Sequence, residues 1–82
     1  MTDQLTNDHP LSGVTKLVHM ANQISQFFAS QPGEQAAAGV FDHLKSLWTP
    51  KMRREIVAHM NNGGEGLTPL SRQAVERLRN ES

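Results

Sequence analysis

The chain has 82 residues, with eight basic and eight acidic side chains, four histidines and no cysteine. At roughly 100–200 residues per domain, this length predicts one domain, and the lack of cysteine excludes disulfides, thiolate metal ligands and cysteine nucleophiles from the chain. A formal net charge of zero argues against nucleic acid or an anionic membrane as partner, because both bind clustered positive charge, and no apolar run approaches the roughly 18–20 residues of a membrane span.

The first 13 residues are polar and contain Pro10 and Gly13, which disfavour regular structure. We therefore predict a flexible N-terminal tail over residues 1–13 and a folded domain over residues 14–80. The tail has neither the basic start and apolar stretch of a secretory signal nor the arginines of a transit peptide, so we expect a cytoplasmic protein.

The first predicted helix runs from about Val14 to Ala29. Its apolar residues recur at helical spacing, and Met20 and Phe27 widen the apolar stripe to nearly half the circumference. One neighbouring helix cannot cover so wide a stripe. Polar side chains such as His19 occupy the other side.

A break at Gln31-Pro32-Gly33 separates this helix from a second one, predicted over about Glu34 to Trp48. Thr49-Pro50 then ends the second helix and begins a third, because threonine is a good N-cap and proline suits the first helical position.

The third helix stops at a glycine-rich stretch, residues 61–66, which supplies left-handed backbone. Thr68-Pro69 repeats the helix-start pattern, and the fourth helix continues to about Arg79. No segment alternates with the period of a strand. The sequence thus predicts an all-α fold, a small bundle of three to four short helices.

The four histidines raise the question of a metal site. His9, His19, His43 and His59 have no partner histidine three or four residues away on a shared helix, and no zinc-binding helix motif occurs. The carboxylates are scattered, and no serine lies in a Gly-x-Ser-x-Gly turn. We therefore expect no catalytic residue, no metal ligand and no cofactor-binding residue in this chain.

Basic residues cluster around the corner between the second and third helices. One hypothesis is a nucleic-acid-binding or regulatory module that uses Lys51, Arg53 and Arg54 on phosphates. Zero net charge and a pI near 6.9 argue against it, and a solvated face or an acidic partner explains the cluster better. Trp48, Met52 and Arg53 are residue types enriched at protein interfaces, so this corner is a candidate docking surface.

Five short pieces, in this order and at this spacing, make the chain resemble the delta subunit of NAD-dependent formate dehydrogenase. The resemblance covers about residues 15–78, and the pieces that carry it are Lys16–Ile24, Phe27–Pro32, His43-Leu44, Trp48–Arg53 and Gly63–Leu70. The sequence departs mildly from the pattern, since Leu47 stands where an aromatic residue is common and Thr49 where aspartate is. Both threonine and aspartate are good N-caps, so the second change preserves the helix start.

The resemblance implies a non-catalytic accessory subunit of a cytoplasmic molybdenum- or tungsten-containing complex that oxidises formate and reduces NAD⁺. It implies that partner subunits carry the bis-molybdopterin guanine dinucleotide, the iron–sulfur clusters and the FMN, and that this chain supports assembly, cofactor maturation or stability of the catalytic alpha subunit. We accordingly predict that the chain docks on the alpha subunit through the first helix and the corner between the second and third helices. We expect neither nucleic acid nor a membrane as a binding partner. The residues of this predicted surface are His19, Asn22, Gln23, Phe27, Phe28, Trp48, Met52 and Arg53.

Overall fold

The computed structural model describes residues 13–81 of the chain, which form four α-helices. The helices are α1 (Val14–Phe28), α2 (Gly33–Leu47), α3 (Pro50–Asn61) and α4 (Pro69–Glu81). No strand occurs within this range, and the predicted all-α fold is confirmed. The predicted tail lies outside the described residues apart from Gly13.

The two Thr-Pro pairs begin helices as predicted. At α3, Thr49 Oγ1 accepts a hydrogen bond from the Met52 backbone N–H at 3.2 Å, with Pro50 in the first turn. At α4, Thr68 Oγ1 accepts from the Ser71 N–H at 3.4 Å. Each threonine thereby satisfies one of the backbone donors that a helix start leaves unpaired.

The glycine-rich stretch ends α3 with a Schellman motif. The Gly63 N–H donates to Met60 O at 3.1 Å, and the Gly64 N–H donates to His59 O at 2.9 Å. Gly63 has a φ of 114° and Gly64 a φ of 64°, a conformation that side-chain-bearing residues rarely adopt. The chain reverses here and leads directly to α4.

The core lies where the inner faces of all four helices meet. α4 packs against α2 and α3, while α1 packs mainly against α2. Val40, Leu44, Ile56 and Val75 are fully buried, and Trp48 joins them with only 5% of its surface exposed. Small residues on α2, such as Ala37, allow the neighbouring helices to approach closely.

No helix among residues 13–81 combines the length and the apolar character needed to cross a membrane. The longest helices, α1 and α2, have 15 residues each.

Candidate docking surface

One side of the domain is built from two segments that contain no Asp, Glu, Lys or Arg. These segments are residues 17–33, covering most of α1 and the following turn, and residues 66–71, covering the start of α4. Side chains from both segments line an open groove of about 600 Å³. We call this surface the charge-free face; its exposed members include His19, Gln23, Gln26, Phe27, Thr68 and Pro69.

Phe27 is the most exposed large apolar side chain among the described residues, with 78% of its surface open. Its ring packs edge-to-face on Phe28, with 5.3 Å between the ring centroids. Phe28 is half-buried and covers Gly39 of α2, where an added Cβ would lie only 2.5 Å from a ring carbon. Packing of Phe28 against α2 therefore leaves Phe27 directed outward.

A second groove of about 320 Å³ extends the charge-free face towards α2. It is lined by Gln23, Ile24, Phe27, Phe28 and His43. Gln23 lines both grooves, so the two adjoin at this residue, and Phe27 lines the second of them. This surface combines an aromatic residue with amides and imidazoles and has no fixed charge.

Asn22 connects the charge-free face to the interior of the fold. Its Nδ2 donates to Gly66 O at 2.9 Å, and its Oδ1 accepts from the Thr68 N–H at 3.1 Å and from Ser71 Oγ at 2.9 Å. One α1 side chain thus holds both the glycine-rich loop and the start of α4. These bonds fix the relative position of the two segments that form the face.

A buried hydroxyl pair lies beneath the groove. Ser25 on α1 is 3% exposed and Ser71 on α4 is fully buried, and their Oγ atoms are 2.6 Å apart. Ser25 Oγ also lies 2.9 Å from Ala21 O, and Thr68 Oγ1 donates to Ser71 Oγ at 3.1 Å. Both hydroxyls are therefore hydrogen-bonded, as buried polar groups require.

The structure divides the predicted docking residues into two groups: those on α1 line the two grooves of the charge-free face, whereas Arg53 of the second group lines a different groove. The first group lies on α1: His19, Gln23 and Phe27 are exposed on the charge-free face, Phe28 is half-buried beside them, and Asn22 lies below. The second group lies at the corner between α2 and α3 and comprises Trp48, Met52 and Arg53.

At that corner the Trp48 ring is part of the core, and Met52 is half-buried against it. Arg53 Nη1 donates to Trp48 O and, at 3.0 Å, to Lys45 O, so its guanidinium caps the end of α2. The structure therefore gives Trp48 and Arg53 roles within the fold of this chain.

No Asp, Glu, Lys or Arg lines the two grooves of the charge-free face, and more than half of the charged residues among residues 13–81 form ion pairs. Lys45 pairs with Glu81 and Arg77 with Glu34, linking α2 to α4. Lys51 Nζ lies 3.6 Å from Glu55 Oε2 within α3. A surface of solvated ion pairs thus contrasts with the charge-free face.

Within residues 13–81, no group of three or more His, Cys, Asp or Glu residues is placed to hold a metal ion. His59 Nε2 lies 2.8 Å from Glu65 O and holds the glycine-rich loop. His19 is exposed on α1. His9 lies outside the described residues.

Sequence reasoning did not find the hydrogen bonds among Asn22, Ser25, Ser71 and Thr68. The bonds between α1 and the start of α4 join residues that are 46 to 49 positions apart in the chain, and only the Thr68–Ser71 contacts are local. The local threonine–serine spacing was a visible signal for a helix start. The pairing with α1 follows only from the packing of α4.

The fold and this surface define a small four-helix domain whose distinguishing feature is one uncharged face around an exposed phenylalanine. The family model described as NADH-dependant formate dehydrogenase delta subunit FdsD matches residues 16–75. The chain therefore belongs to the family of formate dehydrogenase delta subunits, as its sequence resemblance indicated. No curated protein and no solved structure matches the chain significantly, and the family match gives no support to a nucleic-acid-binding role.

Proposed function

We propose that this delta subunit is a non-catalytic accessory subunit of a cytoplasmic, NAD-dependent formate dehydrogenase containing molybdenum or tungsten. It docks on the catalytic alpha subunit and supports assembly, cofactor maturation or stability of that subunit. The observation that carries the proposal is the charge-free face with its two grooves, in the second of which Phe27 is 78% exposed.

The composition of this face suits a protein partner. Interface cores are depleted of charged residues and enriched in aromatic ones, and residues 17–33 contain two phenylalanines and no charged residue. Burying a phenylalanine side chain is worth about 1.5–3 kcal/mol. No charged group has to be desolvated here, so this gain is not offset by the cost of burying an ion.

The face is also held in place before any partner binds. Asn22 and the Ser25–Ser71 hydroxyl pair fix α1 to the start of α4. Ordering of loops and side chains is a large part of the free-energy cost of association. A preformed surface avoids much of that cost.

The redox cofactors belong to the partner subunits in this proposal. The chain has no cysteine, so it has no thiolate to offer an iron–sulfur cluster. We assign the bis-molybdopterin guanine dinucleotide, the iron–sulfur clusters and the FMN to the other subunits of the complex.

The experiment is to produce the formate dehydrogenase complex with and without this chain. Three quantities are measured: molybdenum or tungsten per alpha subunit, the yield of intact complex, and formate-dependent NAD⁺ reduction. A maturation role predicts a lower metal content, whereas a role in assembly or stability predicts a lower yield of complex with normal metal content. Unchanged metal content, yield, thermal stability and activity without this chain would contradict the proposal.

A further inference from the structure

A separate groove lies between α3 and the last turns of α4. It has a volume of about 410 Å³ and combines apolar with basic side chains. The apolar lining residues are Pro50, Val57, Ala58 and Leu78, and the polar ones are Arg53, Arg54 and Asn61. No acidic residue is among them. We call this the arginine groove.

The two arginines of this groove have no acidic partner within the described chain. Arg53 uses Nη1 on the backbone oxygens of Lys45 and Trp48, and neither of those is a carboxylate. Arg54 is exposed, and its side chain has no hydrogen bond or ion pair among residues 13–81. The other cations of α2 to α4 differ, since four of them pair with glutamates and Arg72 holds the glycine-rich loop.

The position of the arginines on α3 adds to the positive potential. The first turn of α3 contains no acidic residue, although acids are favoured there. Arg53 and Arg54 instead follow directly on this turn, near the end of the helix where backbone N–H groups create partial positive charge. Among residues 13–81, no carboxylate lines the arginine groove. Glu81 lines an adjoining groove with Arg53, where it pairs with Lys45.

We propose that the arginine groove binds an acidic segment of a partner protein in which an apolar side chain lies next to aspartate or glutamate. Carboxylates of the segment pair with Arg53 and Arg54, because guanidinium groups bind carboxylates through paired N–H donors. The apolar side chain packs on Val57, Ala58 and Leu78.

A protein segment fits this groove better than nucleic acid does. A phosphate backbone is bound by an extended row of cations, whereas here two arginines without a carboxylate partner among residues 13–81 border an apolar lining, in a chain with zero net charge. The proposal stands on a different surface from the charge-free face, so it holds or fails independently of the proposed docking of α1.

The test measures fluorescence anisotropy of labelled probes titrated with the full 82-residue chain. The probes are a short peptide of glutamate and leucine, a matched glutamine–leucine peptide, a lysine–leucine peptide and a single-stranded oligonucleotide. We expect only the glutamate–leucine peptide to bind, with an affinity that falls as salt rises.

Two substitutions and one control locate the site. Arg54→Glu and Ala58→Glu each change an exposed residue, and both should weaken peptide binding by about tenfold or more, as expected when like charges are opposed at an interface. Lys16→Glu is the matched control, since Lys16 is an exposed cation on α1 with no partner among the described residues. It should leave the affinity unchanged, and circular dichroism verifies that all three variants fold.

Equal binding of the glutamine–leucine peptide would overturn the assignment of an acidic partner. Tighter binding of the oligonucleotide would replace it with a nucleic-acid site. Equal losses in Arg54→Glu and Lys16→Glu would show a general charge effect and contradict the groove. None of these outcomes bears on the metal content of the formate dehydrogenase complex, which tests the proposed function separately.

Discussion

The chain begins two of its helices with the same pair, threonine followed by proline, and the two starts lie in surfaces of opposite character. At α3, Thr49 caps the helix, and Lys51, Arg53 and Arg54 follow within the next five residues. At α4, Thr68 caps the helix in a segment without charge, and its Oγ1 also donates to the buried Ser71.

The difference shows that the same Thr-Pro pair can begin a helix in two different tertiary environments. The α3 start is completed by groups close in sequence, including the Arg53 guanidinium on the end of α2. The α4 start is completed by Asn22, which is 46 residues away from Thr68. The uncharged start is therefore built into the fold through α1, whereas the basic start keeps Arg54 unpaired on the described surface.

The largest expected loss of stability is for Trp48, the residue immediately before the Thr-Pro start of α3. Trp48→Ala should lower the free energy of unfolding by about 3–5 kcal/mol, because the ring is buried in the core and its loss leaves a cavity. Leu47→Ala is the matched control, since Leu47 is 67% exposed, and it should change stability by less than about 0.5 kcal/mol. Urea unfolding measures both. Equal effects would contradict the placement of Trp48 in the core.

The second-largest expected loss of stability shows whether the start of α4 depends on hydrogen bonds from α1. Asn22→Ala removes three hydrogen bonds to the loop and to α4, and we expect a loss of about 2–4 kcal/mol at about 1 kcal/mol per bond with a further cost for unpaired groups. Gln23→Ala, one residue further along α1 and exposed, should have little effect on unfolding. A stability of Asn22→Ala equal to that of Gln23→Ala would mean that α4 begins without help from α1.

Removing either N-cap threonine should lower the free energy of unfolding by a smaller amount. Thr49→Ala should cost about 1 kcal/mol, the usual value of an N-cap. Thr68→Ala should cost about 2 kcal/mol, because Thr68 Oγ1 also donates to Ser71 Oγ at 3.1 Å. Thermal unfolding of the two variants under identical conditions measures the difference. A larger effect at Thr49 would reverse the comparison.

The smallest effects are expected on the ion-paired surface. Glu81→Gln removes the pair with Lys45, and Glu34→Gln removes the pair with Arg77. Each should cost less than about 1 kcal/mol, since these side chains are largely solvated. The loss should shrink further in high salt, where exposed charges are screened. Unfolding at low and high ionic strength checks this, and a large effect that persists in salt would contradict a solvated surface.

The sequence predicted the helices well because their boundaries depend on neighbouring residues. Thr49-Pro50 and Thr68-Pro69 cap the starts of α3 and α4, and Gly63 and Gly64 end α3. Each of these helix starts or ends is set by hydrogen bonds to residues only a few positions away. α1 ends one residue before its predicted end, α2 is shifted by one residue at both ends, and α4 continues two residues past the predicted end at Arg79. Caps and helical residues are hard to distinguish at such positions.

The surface was less predictable because periodicity identifies an apolar stripe without showing which part of it is covered. Phe27 and Phe28 are adjacent in sequence, yet Phe28 packs over Gly39 and Phe27 is exposed. Tryptophan is common at protein interfaces, yet Trp48, at the end of α2, lies in the core. Only the packing of α1 on α2, and of α4 on both helices, determines which of these aromatic side chains is exposed and which is buried.

Co-purification of the formate dehydrogenase complex with Phe27→Glu or Leu47→Glu in this chain tests the central claim most directly. Both substitutions place a carboxylate at an exposed apolar residue, but only Phe27 lies on the charge-free face. We predict that Phe27→Glu lowers the amount of this chain recovered with the alpha subunit by at least about tenfold, the scale of a central interface residue, while Leu47→Glu is recovered normally. Normal recovery of Phe27→Glu would contradict docking through the charge-free face.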